Sequence, residues 1–492
     1  MRVLMLGWEL PPHISGGLGT ACEGLTRGVA SHGVEVLFVV PKRWGDESAE
    51  HMQLLGCEEV EPASGSLTLP RPQVEAQAVA SEAAPRSLSA SAAEVAPASY
   101  SEPEPLAGSA LTSVLTVDSP LTPYLDEAEY ERLIAAYGPG RAGERMIASP
   151  RVIEAAMRLA TELTALPELR EEALQAARGA RLRFSGRYGS DLLAEVARYA
   201  LAVGEIARRE QFDLIHAHDW MTYPAGLLAS RLTGKPLVVH MHATEYDRSG
   251  DHPNPRVAAI EREGLQAARL VVPVSHYTAG ILKRRYGVDP AKIRVVHNAV
   301  THREQQRDWH VERTILEPVV LFLGRVTFQK GPDYFLEAAA RVVAVEPHVK
   351  FVVAGSGDML PAMIERTAEL GLARHVHFTG FLRGKDVERI FALADLYVMP
   401  SVSEPFGITP LEALALDTPA IVSRQSGVAE VLAHALKVDF WNVEDLADKI
   451  LAVLHHPALR AELVANGRTE VARMHWDVSG AQMLAVYREA AA

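Results

Sequence analysis

Ser403-Glu404-Pro405-Phe406-Gly407-Ile408-Thr409-Pro410-Leu411-Glu412 sets two glutamates around seven intervening residues. Just upstream, Leu396–Met399 is an unbroken apolar run of strand length. Just downstream, Leu411–Leu416 opens a helical pattern. The segment is therefore a strand-to-helix loop. In a parallel sheet such loops lie at the carboxyl edge, where ligands bind. Gly407 allows the backbone to approach a ligand closely. Free N–H groups at the helix start suit a diphosphate. Carboxylates beside them suit paired bonds from vicinal hydroxyls. The plainer reading of the same residues is a capped helix with two solvated acids.

Outward from this loop, apolar strands and helices alternate. Val319–Leu323, Phe351–Ala354, Val376–Thr379, Leu396–Met399 and Ala420–Val422 read as buried strands, and the last helices run from Val443 onward. The first half repeats the pattern. Val3–Leu6, Val34–Val40, Leu214–Ala217, Leu237–His240, Leu270–Val274 and Ile293–Val296 read as strands. Helices are expected at 20–31, 192–208, 224–232 and 257–268. Repeated strand–helix order implies α/β architecture with doubly wound parallel sheets. We expect one such domain over residues 1–300 and a second over 318–475, joined by the polar stretch 301–317. Residues 476–492 carry Trp476, Val478, Met483, Leu484 and Tyr487 at helical spacing, too apolar a pattern for a free tail.

The net charge of −13 is concentrated in one place. Residues 45–120 hold twelve acidic and two basic side chains, so the rest of the protein carries only −3. Within that insertion, residues 61–110 are rich in Ala, Ser, Pro and Glu, a composition expected to stay disordered. Order is expected to return near Leu121, with helices at 126–136 and 153–163. This balance weighs against a nucleic-acid partner. No run of eighteen apolar residues suggests a membrane span. Two cysteines, Cys22 and Cys57, make neither a disulfide framework nor a metal spacing, and the cytoplasm is the expected compartment.

Other polar residues cluster at strand ends. Arg325 and Lys330 lie five apart in the loop after Val319–Leu323, where two cations suit a diphosphate leaving group; solvated loop cations are the alternative. Gly16 and Gly17 follow the first strand. Gly355 and Phe381 follow two later strands. His216, His218 and Asp219 end one strand, and His240 and His242 end another, with Glu245 and Asp247 just beyond. The two histidine pairs each share a strand face, so four imidazoles could ligate zinc. His216 and His240 read equally as hydrogen-bonded core histidines. Glu430 reads as a first-turn acid favourable to its helix dipole. No Asp-x-Asp occurs, which removes the usual metal–diphosphate bridge.

The Glu-x7-Glu segment resembles the motif of retaining glycosyltransferases with the GT-B fold, family 4 especially. The resemblance covers nearly the whole chain outside the insertion. It implies two Rossmann-like domains facing a cleft, with a C-terminal helix crossing back to the first. By this resemblance Glu404 holds the donor sugar's hydroxyls and Glu412 the nucleotide ribose. The amides of Phe406, Gly407 and Ile408 face the sugar and phosphates, and Arg325 and Lys330 stabilise the diphosphate. Gly16 and Gly17 meet the donor phosphate from across the cleft. Gly355 and Phe381 adjoin the nucleotide. His242 lies near the anomeric carbon. His218 and Asp219, with Trp220, resemble an acceptor-lining stretch of glycogen synthases, and Glu245 and Asp247 share that side.

The implied activity is transfer of a hexose, glucose preferred, from a nucleoside diphosphate sugar to a carbohydrate acceptor with retention. An α-glucan is the preferred acceptor, and no metal or other cofactor is expected. A lipid or small-molecule acceptor is the alternative. Ile14 stands where starch and bacterial glycogen synthases carry a lysine, so ADP-glucose is not singled out as donor.

Overall fold

The structure is a computed structural model that describes residues 1–11, 17–43, 47, 49–57, 148–178, 180, 182–185, 189–301 and 315–492. The expectations for residues 61–110, for a helix at 126–136, for Gly16 and Ile14, and for most of the linker fall outside these residues.

Two six-stranded parallel sheets organise the chain. The first contains β1 (Arg2–Leu6), β2 (Glu35–Val40), β3 (Gln53–Gly56), β4 (Leu214–His218), β5 (Leu237–Met241) and β6 (Leu270–Pro273), in the order β3-β2-β1-β4-β5-β6. The second contains β7 (Val319–Leu323), β8 (Lys350–Ala354), β9 (Val376–Gly380), β10 (Leu396–Met399), β11 (Ala420–Ser423) and β12 (Leu436–Val438), in the order β12-β11-β10-β7-β8-β9. Counted from its own first strand, each sheet has the order 3-2-1-4-5-6. The direction of winding therefore reverses between β1 and β4, and again between β7 and β10. Ligand crevices open at such switch points. The loops after these four strands carry most of the residues singled out above.

Both faces of the first sheet are covered, which is why its strands read as continuous apolar runs. Leu4, Leu6, Val39, Ile215 and Val239 face one core, while Val3, Met5, Val36, Leu214 and Val238 face another. Successive side chains point to opposite faces, so one strand feeds both layers. Helices Pro150–Glu162, Leu192–Arg209 and Tyr223–Thr233 cover the first layer.

Helices Gly17–Ser31 and Trp476–Ala491 cover the other. These two helices approach closely through glycine. A Cβ on Gly28 would sit 2.2 Å from the Trp476 carbonyl oxygen, and one on Gly480 would sit 2.2 Å from Gly28. Trp476, Met483, Val486, Tyr487 and Ala490 are buried there. Thus the last helix, though it follows the second sheet in sequence, belongs to the first sheet's core. Ion pairing of Arg294 with Glu489 and a 2.8 Å bond from Ser31 Oγ to Asp477 fasten its rim.

Three edge segments differ from the sequence reading. Ile293–Val296 forms no strand; Ile293 makes one isolated bridge to Val271, and only Val296 of the four residues is buried. Backbone bonds from Arg294 N–H to the Val271 carbonyl at 2.9 Å and from Val296 N–H to the Pro273 carbonyl at 3.2 Å still hold it beside β6. Conversely, β3 and β12 escaped notice. They have four and three residues, and polar Gln53 and Lys437 interrupt their patterns. Both are outermost strands, held by pairing to β2 and β11 rather than by their own hydrophobicity. Among the described residues, no helix is long and apolar enough to cross a membrane.

Candidate active site

The second domain supplies one wall from the loops after β7, β10 and β11. Gln329 stitches the first two together: its side chain accepts from Arg325 at 3.0 Å, and its carbonyl accepts from Val402 N–H at 2.9 Å. Gly331 adopts φ +64°, and a Cβ there would lie 2.3 Å from the Pro400 carbonyl oxygen, so the turn requires glycine. This places the Lys330 ammonium in an ion pair with Glu404 Oε2, which also accepts from Ser401 Oγ at 3.2 Å.

Glu404 is buried, and its backbone is fixed on both sides. Its N–H donates to Gln425 O at 2.9 Å, and its carbonyl accepts from Gly427 N–H at 3.0 Å. Gly407 follows with φ +98°, wrapping the chain around the Glu404 stem, and Ile408 leads into helix Thr409–Ala415 with Glu412 in its first turn. The Tyr397 phenol is pushed up by burial and then by the charges of Glu404 and Glu412, so both carboxylates act on one buried point beneath the loop.

The first domain supplies the opposite wall. Asp219 adopts φ +58°, uncommon for a non-glycine residue, and its Oδ1 accepts from the His242 N–H at 2.7 Å and the Ala243 N–H at 3.4 Å. The strained turn thereby joins the ends of β4 and β5. Arg248 approaches Asp219 at 3.4 Å, Glu261 at 3.6 Å and Glu245 at 3.9 Å. Burial works against the Arg248 charge, but Asp219, Glu261, Glu245 and Asp247 outweigh it and raise its pKa. Burial pushes Glu261 up to about 8 even though Arg248 pulls the other way. Asp247 is likewise raised by burial, opposed by bonds from Ser403 and Thr244. Thr244 and Asp247 form a reciprocal cap on helix Glu245–Ser249, which aims Asp247 Oδ1 outward toward the second domain.

Four histidines lie behind this wall. His216, His218, His240 and His242 are all buried on one face of β4 and β5. Ring centroids are 4.2–5.3 Å apart, with interplanar angles of 18–43°. Tyr487 of the last helix bonds His216 Nδ1 at 2.8 Å, and His218 Nδ1 bonds His242 Nε2 at 2.9 Å. Burial lowers His216 to about 3 and holds the other three below the usual histidine range. Nitrogens of His216, His218 and His240 come within 4.8 Å of one another. Cys22 forms a second such group with His218 and His242.

The two walls touch through a polar clasp. Ser403, beside Glu404, donates to Asp247 Oδ1 at 2.6 Å and is bonded to Tyr277 OH at 2.9 Å. Ser275 Oγ and Thr278 Oγ1 donate to the Pro405 carbonyl at 2.6 and 3.2 Å. Glu430 accepts from the backbone N–H groups of His276 and Tyr277, at the start of helix His276–Ile281, and meets His297 Nε2 at 3.1 Å. Its carboxylate thus serves the N-terminus of a helix in the other domain, not only the dipole of its own. Gly427 has to be small here, since a Cβ would fall 2.5 Å from that of Ser275.

Most residues singled out in the sequence gather at this junction. Arg325, Lys330, Glu404, Phe406, Gly407, Ile408 and Glu412 form one wall. Asp219, Glu245 and Asp247 form the other, with His218 and His242 behind them. Gly355 has a local explanation: its Cβ would lie 1.8 Å from the Gly324 carbonyl oxygen, so close packing of two loops demands it. Phe381 follows β9 and lies under the Arg383 guanidinium, 5.1 Å from the ring centroid. Gly17 opens its helix with open space around it. The clasp residues Ser275, Tyr277 and Ser403 went unread. Serine and tyrosine are common in loops, and nothing in their spacing announces a partner more than a hundred residues away.

Comparison with known proteins agrees with this architecture. The family described as "Glycosyl transferases group 1" matches residues 306–470, "Glycosyltransferase Family 4" matches 158–304, and "Starch synthase catalytic domain" matches 2–85. An uncharacterized glycosyltransferase of Methanocaldococcus jannaschii is 30% identical over 298 residues, spanning 57% of this chain and 76% of its own. D-inositol 3-phosphate glycosyltransferase 2 of Catenulispora acidiphila is 32% identical over 300 residues, spanning 56% of this chain and 70% of its own. Among solved structures, Anabaena HepE in complex with UDP-glucose superposes with a TM-score of 0.57 at 15% identity. The superposition covers 99% of this chain and all of that one.

Proposed function

The chain belongs to the glycosyltransferases, with the GT-B fold, and on that premise we propose that it transfers glucose from a nucleoside diphosphate sugar to an α-glucan with retention of configuration. The observation that carries this reading is the Lys330–Glu404 pair at the β7/β10 switch point, joined to the acceptor-side Asp247 through Ser403.

Each group has work suited to its chemistry. Lys330 and Arg325 meet the diphosphate, whose charge grows as the bond to the sugar breaks. A diphosphate that engages Lys330 frees the Glu404 carboxylate to accept the sugar hydroxyls. Glu412 takes the ribose. The acceptor hydroxyl attacks from the face that the diphosphate leaves, and the departing phosphate takes its proton. The His242 imidazole is neutral at pH 7, so it serves as a hydrogen-bonding group rather than a cation. Closure across the Ser403–Asp247 clasp excludes water from a donor that hydrolyses easily. No residue set bridges a metal to the diphosphate in this scheme, and turnover needs none.

UDP-glucose is the first donor to try, since HepE is seen in complex with it. The name of the Catenulispora relative supports a second reading, a small polyol phosphate as acceptor. A thermal-shift screen of ADP-, UDP- and GDP-sugars tests the donor, because a ligand bound only to the native state raises its apparent stability. Transfer assays with maltopentaose and D-inositol 3-phosphate then separate the acceptors. If no nucleotide sugar shifts the melting temperature and none is turned over, the reading is wrong.

A further inference from the structure

Phe328 sits midway between Arg325 and Lys330, on the turn Phe328–Lys330, and is 50% exposed. Its neighbours behave differently: Val326 and Gln329 are buried. A phenyl group left half in water forgoes a contact that folding would otherwise favour. Of the described phenylalanine and tryptophan side chains, only Phe328 and Trp441 are exposed. Trp441 packs edge-on against Phe440 beyond β12. Phe328 instead reaches the opposite wall. Its turn packs against helix Glu245–Ser249, and its Cε1 lies 3.7 Å from where a Cβ on Gly250 would stand. Gly250, with φ +61°, ends that helix without a side chain and leaves the ring room.

We propose that Phe328 is a stacking platform for a sugar ring of the acceptor, a role that rests on the transferase reading above. A pyranose presents hydroxyls at its edge and C–H groups on its face. A phenyl ring has no donor or acceptor and can meet only the face. The ring lies on the loop that holds the diphosphate cations yet touches the acceptor-side helix. An acceptor sugar lying between the two walls therefore has Phe328 beside it. Phenylalanine also distinguishes acceptor classes: an acyl chain packs equally well on leucine, whereas stacking needs the aromatic face.

The experiment measures initial rates with maltopentaose for the wild type and for Phe328→Ala, Phe328→Leu and Phe328→Tyr, with Trp441→Ala as a control. The donor is the nucleotide sugar selected by thermal shift, and its hydrolysis without acceptor is followed separately. Phe328→Ala and Phe328→Leu should each raise the KM for maltopentaose about tenfold, a typical size for loss of one aromatic contact. Phe328→Tyr and Trp441→Ala should stay within about twofold on the same scale. The donor KM and the hydrolysis rate should not move. An unchanged KM in Phe328→Ala overturns the proposal, and so does a wild-type KM in Phe328→Leu, which means a generic apolar contact. Donor hydrolysis by an enzyme that maltopentaose never saturates also overturns it. Loss of all donor binding and turnover in the wild type is a different result, and it refutes the transferase reading itself.

Discussion

The two walls of the cleft are built from the same strand order but hold their polar groups differently. On the first-domain wall the charges satisfy one another in the interior. Asp219 accepts two backbone N–H groups, Glu261 accepts from Glu245 N–H and Tyr286, and Arg248 lies among their carboxylates. Behind them the histidine stack is tied to the last helix through Tyr487. On the second-domain wall Lys330 and Glu404 answer mainly to each other, on a loop shaped by glycines with positive φ. One wall is a preorganised floor whose polar groups are committed to the fold. The other carries charges that a ligand can engage. Substitutions in the first should be read chiefly in stability, and those in the second chiefly in rate.

The largest test of this contrast is removal of residues 476–492. The first-domain wall loses its supporting helix, including buried Trp476, Met483, Val486 and Tyr487. Each such side chain contributes roughly 1.5–3 kcal/mol of burial, so the loss should exceed about 5 kcal/mol. Thermal unfolding should shift down by about 10 °C or more. A truncated protein with wild-type melting would show that the wall stands alone.

Glu404→Gln comes next and strikes the other wall. The carboxylate's charge is lost while its shape stays, so kcat should fall on the order of 10²–10³-fold with little change in melting temperature. Near-native turnover would remove Glu404 from the chemistry.

Acid is a gentler probe of the histidine stack. His216 titrates at about 3 in the fold against an ordinary 6.5. Between those values the unfolded chain binds a proton that the native stack refuses. Stability is therefore unaffected above about pH 7 and falls as pH drops from about 6.5 toward 3, by about 1.4 kcal/mol per pH unit for such a group. At pH 5 that is roughly 2 kcal/mol for His216. Urea unfolding at pH 7.5 and pH 5 measures it, and His216→Phe should show a smaller difference between the two. Equal differences in wild type and variant would mean that the stack does not carry the effect.

The smallest expected effect is none. Chelation by EDTA should leave turnover unchanged, because the sequence has no Asp-x-Asp to bridge a metal to a diphosphate and offers Arg325 and Lys330 instead. Loss of activity restored by zinc would turn the first-domain wall from a packed floor into a metal centre.

Much of this molecule was legible in its sequence. Buried parallel strands need apolar runs, helices covering them need an apolar face, and glycine or proline punctuates the joints; these are local demands, visible within a dozen residues. So the cores of both sheets, the loop around Glu404 and the cationic loop of Arg325 and Lys330 could be read from periodicity and position. Two of the four edge strands could not, because Gln53–Gly56 and Leu436–Val438 owe their form to the neighbours they pair with. Only the tertiary structure decided that Glu430 caps a helix of the opposite domain, that Ser403 reaches Asp247, that Tyr487 bonds His216, and that the histidines stack. Each of these contacts joins residues brought together by the docking of separate elements. A short polar side chain bonds whatever group the fold sets within about 3 Å of it, and no spacing along the chain encodes that distance.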